Sequence, residues 1–125
     1  MQRVLAGIAL FAIAVSVGVA PTQARSRLAP ADEYFGRSHM SILGIRNELG
    51  TIQARGFGNA RDARSELGLC FIVEDAIIDF GSKYPHDNWL GPMVNTLEHF
   101  YTTTRTRDGY NHARRLAAWS RSISR

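Results

Sequence analysis

Glu74, Asp75 and Glu98, with histidines at positions 39, 86, 99 and 112, are the residues whose types best suit acid–base or metal chemistry. Carboxylates and imidazoles hold divalent ions and exchange protons near neutral pH. Their spacing does not reinforce their type: no His-x-x-x-His, Glu-x-x-His or Cys-x-x-Cys occurs. Cys70 is the only cysteine, so haem attachment through Cys-x-x-Cys-His is excluded, as is an internal disulfide. Cys70 lies in the apolar run from Leu67 to Val73 and reads as a buried core thiol, not a nucleophile. No Gly-x-Ser-x-Gly elbow or phosphate-cradling glycine loop is present. The main expectation is a protein without catalysis, metal or cofactor. A small metal-binding protein or hydrolase using Glu74, Asp75, Glu98 and a histidine is the alternative.

Two charged residues fall on apolar helical faces. Arg46 shares a face with Phe35, Ile42 and Leu49, and Glu74 lies among Leu67, Cys70, Phe71 and Ile78. A buried charge without a partner is very costly, so Arg46 and Glu74 are expected to form a buried structural pair. Asp75 and Asp79, four apart on one helix, repel unless something cationic sits between them. Arg114, Arg115 or a divalent ion would serve.

The elements that position these residues follow an apolar start. Residues 1–24 have the parts of a signal peptide: Arg3, an apolar run from Val4 to Ala20, and a small-residue exit at Thr22-Gln23-Ala24. Cleavage before Arg25 leaves an exported protein, periplasmic or extracellular. Residues 25–30 read as a short leader and 31–125 as a single helical domain. Phe35, Ile42, Ile45, Leu49 and Ile52 recur at helical steps and predict a first helix from about residue 31 to Gly56-Phe57-Gly58. Asn59, with Asp62 three residues on, caps a second helix over about 60–81 that is apolar around most of its circumference. Trp89, Met93, Leu97 and Phe100 mark a third helix, and Ala113, Leu116, Ala117, Ser120 and Ile123 a fourth over about 110–124. No segment reads as a strand. The predicted fold is all-α, four helices as two antiparallel hairpins or a four-helix bundle.

The segment Phe80-Gly-Ser-Lys-Tyr-Pro-His-Asp-Asn-Trp-Leu90, with Ala76 four residues before its phenylalanine, resembles the junction between tetratricopeptide-type helical repeats of exported bacterial proteins. The match covers about a tenth of the chain, and the connection that follows is longer than the usual repeat period. The resemblance implies a concave surface that binds proteins or peptides.

Charge narrows the partner. Of the 15 basic residues only Lys83 is a lysine. Residues 101–125 hold six arginines against the one acid Asp108, whereas residues 60–100 are acidic. In an exported protein nucleic acid is not the expected partner. Contact of the arginine-rich last helix with an anionic surface is a further alternative, less favoured than a solvated helix face. The favoured function is an interaction or scaffold module for another envelope protein or peptide. Tyr34, Tyr84, Trp89 and Trp119 are its candidate anchors, since aromatics often dominate interfaces.

Overall fold

A computed structural model describes residues 28–56 and 58–125. The expected signal peptide at residues 1–24 and the cut before Arg25 lie outside the described residues. Those residues form an all-α structure of five helices: α1 (Ile42–Gly56), α2 (Ala60–Ser65), α3 (Leu67–Lys83), α4 (Leu90–Thr103) and α5 (Arg107–Ile123). None of these helices is long and apolar enough to cross a membrane.

The first helix starts at Ile42, about ten residues later than its apolar spacing predicts. Ser41 accounts for this start: its Oγ accepts the Gly44 N–H at 3.0 Å and its carbonyl accepts the Ile45 N–H at 2.9 Å. A serine before the first turn satisfies donors that otherwise lack partners. Ahead of it the chain doubles back, and Phe35 and Met40 exchange two backbone hydrogen bonds of 2.8 and 2.9 Å. Gly36 at φ +68° and His39 at φ +49° make the reversal. Phe35 thus reaches the core from a loop, which we call the strap, and meets Phe80 edge-to-face at 5.2 Å.

The second predicted helix is two helices. The Glu66 N–H bonds back to the Ala63 carbonyl at 3.2 Å and its ψ is 1°, which tightens the turn and redirects the chain between α2 and α3. Asn59 caps α2 as expected, its side chain accepting the Asp62 N–H at 3.0 Å. The Tyr84-Pro85 segment, on which the repeat resemblance rests, falls between α3 and α4. Helix α5 begins three residues earlier than predicted because Thr106 caps it, Oγ1 accepting the Gly109 N–H at 3.0 Å.

All five helices and the strap feed one core. Phe35, Ile45, Ile52, Val73, Ile77, Phe80, Leu97, Phe100 and Tyr101 are fully buried in it, as is Cys70. Each large apolar side chain buried in this way contributes about 1.5–3 kcal/mol. Gly81 lets α5 approach α3, since a Cβ there would lie 2.6 Å from the Trp119 ring and 2.8 Å from Leu90.

Candidate functional site

Glu74 of α3 is buried, yet one of its carboxylate oxygens is hydrogen-bonded by groups from two other helices. Tyr101 of α4 donates its hydroxyl to Glu74 Oε2, and His112 Nδ1 of α5 lies 2.7 Å from the same oxygen. A carboxylate oxygen only accepts, so the shared contact places an imidazole hydrogen on Nδ1, facing Glu74. Burial and the bond to Glu74 push the Tyr101 hydroxyl well above the usual phenol range, which keeps it a donor. Phe71 stacks on the His112 ring with centroids 4.4 Å apart, and both rings lie against Tyr101. Chemically this is an oriented imidazole, the beginning of an acid–base site. Among the described residues no serine, threonine or cysteine is bonded to it, and Cys70 nearby is disabled by burial, which raises its thiol to about 12.

The expected Arg46–Glu74 pair does not form. Arg46 is exposed on α1 and its guanidinium lies 3.6 Å over the Trp89 ring. The apolar face that appeared to contain it is cut short by the late start of α1. The sequence signal for the real partner was weak: His112 sits at the edge of the inward stripe of α5, one position before Ala113.

Asp75 and Asp79 are relieved by something simpler than an arginine of α5 or a metal ion. The backbone N–H of Gly36 donates to Asp79 at 2.8 Å and that of Arg37 to Asp75 at 2.8 Å. The Arg37 side chain adds a 3.4 Å contact to Asp75, and Lys83 lies 3.3 Å from Asp79. Two successive amides of the strap therefore sit between the repelling carboxylates. Glu98 stands apart, partly buried beside a depression it lines with Asn95, His99, Thr102 and Ala113. Burial raises its carboxyl and the Arg121 charge partly offsets this. The alternative set Glu74, Asp75, Glu98 and a histidine is thus divided among three places. Among the described residues no three His, Cys, Asp or Glu side chains converge as metal ligands would.

The four aromatic candidates divide as well. Tyr84 and Trp119 are partly buried against the core, and Tyr84 donates its hydroxyl to Glu33. Tyr34 and Trp89 are exposed, Trp89 to 43 %. Trp89 is also held in place. Buried Asp87 accepts the Trp89 N–H at 2.9 Å on one carboxylate oxygen and the Ala29 N–H at 3.1 Å on the other. Leu43, exposed to 62 %, lies on the face of α1 that carries Arg46, three residues on. A second apolar feature is the pair Phe71 and Ile72 on α3, both exposed, beside an open depression of about 280 Å³ shared with Arg37, Ser38 and Asp75. Comparison of the chain with protein families, curated proteins and solved structures returned no match.

Proposed function

We propose that this is an exported helical binding module that docks another envelope protein or peptide through Trp89, Arg46 and Leu43. The supporting observation is the Trp89–Arg46 stack at 3.6 Å, on an aromatic ring left exposed while its backbone is fixed by Asp87. Tryptophan and arginine are the residues most enriched at energetic centres of interfaces, and a side chain already ordered loses little entropy on binding. Leu43 supplies apolar area next to them. The helical-hairpin arrangement belongs to the same reading, supported by the short connection, residues 104–106, between α4 and α5. The apolar run from Val4 to Ala20 supports export, with Ala24 as the small residue at the cut.

The test is capture from an envelope extract by the immobilised chain, comparing wild type with Trp89→Ala and Leu43→Ala. A protein retained by wild type and lost from both variants, with their melting curves unchanged, supports the reading. Equal capture by all three overturns it.

A further inference from the structure

The arginines of α5 are arranged, not merely abundant. Arg107, Arg114 and Arg121 are seven residues apart, so successive members fall two helical turns on and within about 20° of the same line. All three are exposed, opposite the buried Gly109, Ala113 and Leu116. The stripe runs along about 21 Å of the helix at 1.5 Å per residue. Tyr110, also exposed, lies beside its first half, one turn after Arg107 and one before Arg114. Among the described residues none of these arginines is within ion-pair distance of a carboxylate: Arg114 donates to Asn111 at 2.8 Å, and Arg121 acts on Glu98 only at longer range. Two acids bear on the stripe: Asp108, next to Arg107 in sequence, and the partly buried Glu98, on which Arg121 acts.

We propose that this face of α5 is a docking surface for an anionic phospholipid bilayer. Guanidinium groups match phosphate oxygens with two parallel hydrogen bonds each, and a straight exposed helix lets three of them reach one flat surface together. The aromatic ring at the edge of the stripe suits the headgroup region, where tyrosine is enriched. No large apolar side chain projects between the arginines: position 118 is alanine and 111 asparagine. Contact is thus peripheral and electrostatic, without insertion. It uses residues of α5 alone, none of them in the Trp89, Arg46 and Leu43 set.

The experiment is co-sedimentation of the full chain with vesicles of phosphatidylglycerol and phosphatidylcholine, compared with phosphatidylcholine alone. The apolar residues 4–20 contribute to both compositions, so the quantity read is the difference between them. Two triple variants are compared: R107Q/R114Q/R121Q, and R37Q/R55Q/R61Q, which removes the same charge elsewhere. Wild type should prefer the anionic vesicles at low salt and lose that preference near 0.5 M salt, about where screening reaches only a few ångströms. The α5 variant should bind them roughly a hundredfold more weakly, about fivefold per arginine, while the control stays within a few-fold of wild type. Equal losses in the two variants would reduce the effect to net charge and overturn the proposal. So would the absence of any preference for anionic vesicles. Binding of a soluble polyanion such as dextran sulfate, with none to vesicles, would also overturn it.

Discussion

His112 Nδ1 and Tyr101 Oη converge on a single oxygen of Glu74, so one carboxylate ties α3 to both α4 and α5. Removing it orphans a buried hydroxyl and an imidazole N–H at once. Glu74→Ala should cost about 2–4 kcal/mol, and with each kilocalorie worth about 4–8 °C at this size the melting temperature should fall by ~10 °C or more. Glu74→Gln, which keeps one acceptor, should lose less. Thermal melts by circular dichroism check this, and an alanine variant within ~2 °C of wild type would show that the three-helix tie contributes nothing.

Gly36 is fixed by two independent constraints. Its φ of +68° disfavours any side chain, and a Cβ would lie 2.8 Å from the Ala76 Cα and 3.0 Å from the Asp75 carboxylate. Gly36→Ala should therefore lift the strap from α3 and expose Phe35, destabilising the protein by about 2 kcal/mol or more. Hydrogen exchange at the Gly36 and Arg37 amides should accelerate in Asp79→Asn and Asp75→Asn as well. Unchanged protection in Gly36→Ala would refute the fit.

Cys70 and Tyr101 predict sensitivity to alkali. Burial raises the Cys70 thiol from 9.0 to about 12 and moves Tyr101 in the same direction. Between the ordinary and the folded value the native state holds a proton that the unfolded chain releases, so stability falls as pH rises. The denaturant midpoint should drop steadily above about pH 9, and the slope should be shallower in Cys70→Ala, whatever that variant loses at neutral pH. In the native protein at pH 8 the thiol should resist a disulfide reagent and react once the chain is unfolded. A native thiol that reacts at the same rate as the unfolded one would contradict its burial.

Asp87 joins residue 29 to residue 89 through two backbone amides. Asp87→Ala should cost about 1–3 kcal/mol and loosen Trp89. The latter is read as a change in tryptophan fluorescence, absent in the control Glu48→Ala, in the middle of α1 and about 200° round the helix from Arg46. An identical spectrum in both variants would separate Asp87 from the positioning of Trp89.

The helical class was legible because apolar residues at steps of three and four leave little choice, as in Met93, Leu97 and Phe100. Cys70 could be placed in the core for the same reason. What the sequence obscured has one physical origin: periodicity registers which residues are buried, not whether the backbone carrying them is helical. Phe35 is in step with α1 but enters the core from a reversed loop, so its spacing predicts a longer helix than forms and an inward face for Arg46. The break at Glu66 carries no proline or glycine at its own position, and the Asp108-Gly109 pair resembles a turn although Thr106 makes it the first turn of α5. Among the site residues, Glu74 was found from its apolar neighbours. Nothing local in the sequence links His112 to it, since 38 residues separate the two.

The strap also sets an order of events during synthesis. Gly36 is made 43 residues before the Asp79 that holds it, and Ala29 is made 58 before Asp87. At about 5–20 residues per second these two amides lack their native partners for several seconds. The late arrival of Asp75, Asp79 and Asp87 then closes the segment onto the fold.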